Sequence, residues 1–160
     1  MTVGAREKRA SPQGPPRLET ILLATDLSRA SSAATEQAIE LAVRLEARLL
    51  VVHVVGQPKG IGAIGRARTV EGREQRALSA QAVVQRARAA GAQATFLLWD
   101  GEPGDGIIAA AESEAADLII VGSHGRSTVG RYLLGSVSDH VVHHAQCPVL
   151  VVRPRAADIE

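Results

Sequence analysis

Five short apolar runs constrain this chain more than anything else in it: Ile21–Ala24, Leu49–Val55, Ala94–Trp99, Leu118–Val121 and Val149–Val152. Four of them are nearly unbroken Val, Leu and Ile rather than alternating with polar residues, the pattern of strands covered on both faces. The segments between them carry helical spacing. Ala34, Ala38, Leu41, Ala42 and Leu45 share one face, and Glu36, Gln37, Glu40 and Arg44 share the other. Residues 70–90 are rich in the strong helix formers Ala, Gln and Arg and stop at Gly91. Residues 105–115 align Ile107, Ile108, Ala111 and Ala115, and residues 131–145 align Leu134, Val137, Val141 and Ala145. Strand and helix alternating up to a fifth strand predict a doubly wound, Rossmann-like α/β domain. Its strands are parallel, its crossovers right-handed, and its helices lie on both faces of the sheet.

Hydrophobic residues make up 46% of the chain, enough for a core without disulfides or metals. Aromatics are only 2%, so that core is aliphatic, and stacking of bases on ring faces is disfavoured. A net charge of +1 supplies no field for nucleic acid or an anionic membrane. The single Cys147 fits a reducing compartment. No run approaches the ~18–20 apolar residues of a membrane span. The charged N-terminus, Arg6 to Arg9, lacks the apolar stretch of a secretory signal. The expectation is a cytoplasmic protein with neither nucleic-acid nor membrane partners. Its single domain spans 18–154 between an N-terminal tail, 1–17, and a C-terminal tail, 155–160. Gly56 to Gly72, with five glycines, is the one long loop.

The chemistry concentrates after the fourth run, in Gly122-Ser123-His124-Gly125-Arg126-Ser127-Thr128-Val129-Gly130, leading to Gly135-Ser136-Val137. Ligands of parallel α/β sheets bind beyond the carboxyl ends of the strands, where strand order reverses. Glycines there let phosphate oxygens approach backbone N–H groups closely. Arg126 and Arg131 add positive charge, and Ser136 adds a hydroxyl. Such a loop either cradles a polyphosphate or merely joins a strand to a helix. It is not a P-loop, because no G-x-x-x-x-G-K-[ST] occurs in the chain.

Other polar positions have two readings each. Asp26 is either a ligand contact or, with Ser28, a cap for the next helix. His124 either reaches a phosphate or faces solvent. His140, His143 and His144, with Asp139, are either metal ligands or a solvated helix end that complements the helix dipole; no third ligand stands at a definite spacing, which favours the helix end. Gly101-Glu102-Pro103-Gly104-Asp105-Gly106 reads as a turn with Asp105 near a helix start. Cys147, before Pro148, reads as a buried small hydrophobe.

The spacing Gly122-x2-Gly125-x9-Gly135-Ser136 resembles the nucleotide-binding signature of the ATP-binding branch of the universal stress protein family. Asp117 to Arg126, Leu133 to Ser138, Cys147-Pro148-Val149-Leu150-Val151-Val152 and Ile21 to Ser28 are also similar to that family, and the resemblance covers roughly 19–153. It implies a five-stranded sheet of order 3-2-1-4-5, with strands one and four side by side. It also implies ATP or another adenine nucleotide, with Mg bridging the phosphates. Ala24, Thr25 and Asp26 would then stand beside base and ribose, with Ala24 where many members have Pro. The backbone of Val54 would contact adenine, and Gly122 would lie near the ribose. Gly125, Gly135, Ser136 and Val137 would hold phosphate, with His124 and Arg126 on the same loop. No catalytic residue and no protein metal ligand is implied. The resemblance further implies a homodimer paired through Val149–Val152, in which nucleotide occupancy is read by a protein partner that the sequence does not identify. A slow ATPase or other adenine-nucleotide enzyme, and a dimeric interaction module without nucleotide, are the alternatives.

Overall fold

Each apolar run becomes a strand. In the computed structural model, which describes residues 17–56, 70–123 and 134–154, these are β1 (Thr20–Ala24), β2 (Arg48–Val55), β3 (Gln93–Asp100), β4 (Leu118–Gly122) and β5 (Val149–Val152). They pair in parallel in the order β3-β2-β1-β4-β5. The helices are α1 (Ser32–Leu45), entered through a 3-10 turn at Arg29–Ser31, then α2 (Val70–Ala89), α3 (Pro103–Ser113) and α4 (Ser136–His144). The C-terminal tail, the N-terminal tail up to Pro16 and the interior of the Gly56–Gly72 loop lie outside the described residues.

The chain winds outward from β1 through β2 to β3, then crosses back to β4 and β5. Right-handed crossovers in two opposite directions put their helices on opposite faces. Side chains alternate accordingly. Ile21, Leu23, Leu49, Val51 and Ile120 bury against Ala34, Ala38, Ile39, Ala42, Val84 and Ala87 of α1 and α2. Leu22, Ala24, Leu50, Val52, Ile119 and Val121 bury against Ile107, Ala110, Ala111 and Val141 of α3 and α4. Much of the helical contribution is alanine, so the helices sit close to the sheet. On α3, a Cβ on Gly106 would stand 2.8 Å from Val54 Cγ1.

Gly91 closes α2 with φ +102, the left-handed conformation that glycine adopts without strain, while Ala92 N–H bonds back to the Ala87 carbonyl at 3.0 Å. The fourth helix corrects its expected span. Gly135 is extended (φ −62, ψ 156) and forms the N-cap, so α4 begins only at Ser136, and Leu134 lies outside it. Leu134 and Val137 are each 36% exposed although Val141 is fully buried, so the apolar stripe expected along this segment reaches the core only in its second half, at Val141 and the half-buried Ala145. Ala145 is the C-cap, again outside the helix. Cys147 is half-buried rather than buried, packed against the α3–α4 core. No helix among the described residues is long and apolar enough to cross a membrane.

Leu22 and Leu78 separate core from surface, at 0% and 62% exposure. Leu22→Ala is expected to cost about 2–5 kcal/mol and Leu78→Ala less than about 0.5 kcal/mol. Urea titration checks this as a fall in midpoint for the first variant, with an unchanged slope in both.

Candidate functional site

Between β1 and β4 the crossovers leave for opposite faces, so among the described residues a crevice opens at the carboxyl ends of these two central strands. It has a volume of about 450 Å³. Two polar arrangements, one after each strand, shape it.

The first follows β1. Thr25 continues the ladder by donating its N–H to the Val52 carbonyl at 3.0 Å. Its Oγ1 accepts the Leu27 N–H at 3.0 Å and lies 2.9 Å from Ser31 Oγ. Ser31 Oγ–H is given to the Ser28 carbonyl at 2.8 Å, so the proton between the two hydroxyls is the one that Thr25 donates. Asp26 Oδ1 accepts both the N–H of Ser28, at 2.9 Å, and its Oγ–H, at 2.5 Å. Thr35 Oγ1 donates to the Ser31 carbonyl at 3.0 Å, tying the turn to α1. These bonds hold Leu27 at φ +62, an uncommon conformation for a branched residue. Thr25, Ser31 and Thr35 are all buried. The helix-cap reading of Asp26 and Ser28 is thereby corrected. Ser28 is the N-cap of the 3-10 turn but makes no side-chain cap bond, because its hydroxyl points back to Asp26.

The second follows β4. Ser123 is 2% exposed and extends the ladder to β5 through its N–H, which donates to the Val152 carbonyl at 2.9 Å. Its own carbonyl accepts the Gly135 N–H at 2.7 Å and the Ser138 Oγ–H at 3.1 Å. The end of β4 and the start of α4 are therefore joined through this one carbonyl, and the first residues of α4 line the crevice. The Gly135 carbonyl accepts the Asp139 N–H at 2.9 Å. The N–H groups of Ser136, Val137 and Ser138 precede the first that can find an acceptor inside the helix. All three residues line the crevice. A helix start of this kind carries a partial positive charge and suits an anion.

Ala24, Thr25, Asp26, Val54, Gly122, Gly135, Ser136 and Val137, all singled out in the sequence, line this one crevice. His124, Gly125 and Arg126 lie outside the described residues. Sequence reasoning missed Ser31, His53, Pro103, Ile107 and Ser138, which line it as well. Ile107 belongs to the helical stretch expected over 105–115, and Pro103 to the Gly101–Gly106 segment read as a turn. It does contain Asp105, but α3 already begins at Pro103, with Glu102 as N-cap, and its first turns form an apolar wall. The glycines at 104 and 106 were the available signal. A Cβ at 104 would stand 2.5 Å from His140 Cδ2, and the one at 106 would press on β2, so both allow a close approach.

The histidines of α4 sit at its exposed end. His140 Nε2 is 2.7 Å from Asp105 Oδ1 and links α4 to α3, and its ring stacks on His144 at 4.2 Å. His143 and His144 donate from Nδ1 to carbonyls four residues back, those of Asp139 and His140, both at 2.8 Å. No group of three or more metal-binding side chains occurs among the described residues. Arg73 of α2 pairs with Asp100 at the end of β3 at 2.7 Å. The hydrogen bond that Arg73 donates to Asp100, then the carboxylate's charge, raise the guanidinium pKa further above its ordinary value.

The family model described as the universal stress protein family matches residues 17–153. A universal stress protein of Thermus aquaticus is 38% identical over 136 residues, which cover 84% of this chain and 98% of the relative. Among solved structures, a universal stress protein in complex with cAMP is similar at a TM-score of 0.67 and 27% identity, covering 86% of this chain and 98% of the other. The universal stress protein from Archaeoglobus fulgidus in complex with dAMP gives 0.64 and 26%, covering 86% and 99%.

Thr25→Val keeps the volume but removes the oxygen that accepts Leu27 and donates to Ser31. Leaving the Leu27 N–H unpaired is expected to cost about 1–3 kcal/mol, read as a lower midpoint in chemical denaturation.

Proposed function

The chain belongs to the universal stress protein family, and from that premise we propose that it binds an adenine nucleotide, ATP foremost, as a regulatory homodimer in stress response. One observation carries this reading: the crevice at the reversal point is apolar at one end and, at the other, is lined by the first N–H groups of α4, for which no acceptor occurs among the described residues. Val54, Pro103 and Ile107 offer a slot for a flat base, and Ser136, Val137 and Ser138 offer donors for phosphate. Solved relatives in complex with cAMP and dAMP support the adenine-nucleotide class.

In this reading Ala24, Thr25 and Asp26 flank base and ribose, and Asp26 turns its second carboxylate oxygen to a ribose hydroxyl. Val54 meets adenine through its backbone, and Gly122 lies under the ribose. Gly135, Ser136 and Val137 hold phosphate, the role also proposed for His124, Gly125 and Arg126, and a bound Mg would neutralise phosphate charge. The part played by the protein is binding rather than turnover. The Asp26 Oδ1 and His53 Nδ1 atoms are already engaged in holding the turn.

The dimer rests on β5. Ile119 N–H bonds to the Pro148 carbonyl and Ser123 N–H to the Val152 carbonyl, so the even-numbered residues of β5 face β4. Val149 and Val151 therefore turn their peptide groups to the open edge, a template for a second copy. Val151→Pro removes one outward N–H without touching the ladder to β4. Sedimentation equilibrium is expected to show a dimer for the native chain and a folded monomer for this variant. A dimer that survives the substitution would place the interface elsewhere.

The nucleotide reading is tested by denaturing the gently purified protein and identifying what it releases; an adenine nucleotide near one per chain is expected. Ser136→Asp sets a carboxylate at the start of α4, where it stabilises the helix by about 0.3–1 kcal/mol and repels phosphate. Calorimetry should show affinity for Mg·ATP at least tenfold weaker, with a melting temperature unchanged or higher. Undiminished affinity would remove α4 from the phosphate site.

A further inference from the structure

His53 is 8% exposed and lines the crevice, yet it is part of β2. Its Nδ1 lies 2.9 Å from the Thr25 carbonyl. A carbonyl only accepts, so Nδ1 carries the proton.

The consequence lies in the β1–β2 ladder. Arg48 N–H bonds to Glu19 and the Val52 carbonyl accepts from Thr25, so even-numbered residues of β2 face β1. The Val55 carbonyl accepts from Gly101, so odd-numbered residues face β3. Val54 thus turns its N–H and C=O toward β1, just where β1 ends. The next rung would join the Val54 N–H to the Thr25 carbonyl, and among the described residues no such bond is made. The side chain of His53 has the parity of Leu49 and Val51, which bury on the α1–α2 face. Its imidazole therefore reaches the Thr25 carbonyl from that face, outside the plane of the ladder. The Thr25 hydroxyl is engaged on the same side, with Ser31 at the entry to α1.

We infer that His53 is a positioning residue for base recognition: it holds the Thr25 carbonyl out of the ladder, stops β1–β2 pairing one rung short, and leaves the Val54 N–H and C=O open to the base. An open donor beside an open acceptor complements adenine, whose Watson–Crick edge sets an N6–H donor next to the N1 acceptor. Guanine presents the reverse order at the matching atoms. This rests on the adenine-nucleotide reading above, but its first half concerns the ligand-free protein and is measurable there.

The experiment compares the native chain with His53→Phe, which keeps the ring and loses the donor, and with His53→Asn, whose amide nitrogen can occupy the place of Nδ1. Amide hydrogen exchange followed by NMR, without nucleotide, is expected to find Val54 exchanging much faster than Val52 in the native chain and in His53→Asn. In His53→Phe the freed carbonyl completes the rung and Val54 becomes protected. Titration with Mg·ATP should then show at least a tenfold loss of affinity in His53→Phe and less than a threefold change in His53→Asn. If His53→Phe fails to fold, His53→Gln, whose amide reaches the Nε2 position instead, carries the same comparison. A Val54 amide as protected as Val52 in the ligand-free native chain overturns the inference outright. Equal ATP affinity in native and His53→Phe proteins overturns the role of His53 and leaves the nucleotide reading standing. No ATP binding by the native chain, with Val54 open, overturns the nucleotide reading and the recognition role with it.

Discussion

The β1–β4 pair sits at the centre of the sheet with both faces covered, and the ladder between the two strands runs out at Ala24 and Val121. Peptide groups just beyond a buried strand end must find partners or remain open to a ligand, since an unpaired buried N–H or C=O is costly. Most of the local architecture follows from that requirement. Thr25, Ser31 and Thr35 are buried polar side chains whose bonds finish what the β1 backbone leaves incomplete. Ser123 does the same after β4, with one carbonyl accepting from both Gly135 and Ser138.

These arrangements differ in what they leave over. The turn after β1 is nearly saturated: its hydroxyls donate and accept in a closed chain, and Asp26 commits one oxygen to Ser28. A turn held this way meets a ligand with little left to order, which favours binding by sparing conformational entropy. The start of α4 is the opposite case. The bond from Gly135 to Ser123 ties the start of the helix to the end of β4, and its first N–H groups have no acceptor among the described residues, the arrangement that suits an anion. A rigid polar turn thus faces a donor-rich helix end across one crevice.

The packing around this site depends on small residues. Gly104 and Gly106 let α3 settle against His140 and Val54, and alanines bring α1, α2 and α3 down onto the sheet. In a chain with 2% aromatics, such close approach replaces bulk as the source of a well-filled core. Val137 and Leu134 are exposed: they stand at the start of α4, and among the described residues no element covers them.

The sequence by itself determined the number of strands, their near-continuous apolar character and the alternation with helices, because burial on both faces leaves a one-dimensional record in side-chain type. It also marked Ala24, Thr25, Asp26, Val54, Gly122, Gly135, Ser136 and Val137, through a resemblance carried by glycine spacing, and all eight line one crevice. Strand order was legible only through that resemblance, since nothing local in the five runs says which strand lies beside which. The roles of Ser31, His53, Pro103 and Ile107 were not legible at all. A buried histidine in a run of valines looks the same whether it holds a carbonyl on the neighbouring strand or faces a helix, and only the parallel register of β1 on β2 decides. The late start of α4 escaped for a related reason. Leu134 and Val137 keep helical spacing, but the Gly135 N–H is claimed by the carbonyl of Ser123, a residue distant in sequence that only the folded sheet brings within hydrogen-bonding reach.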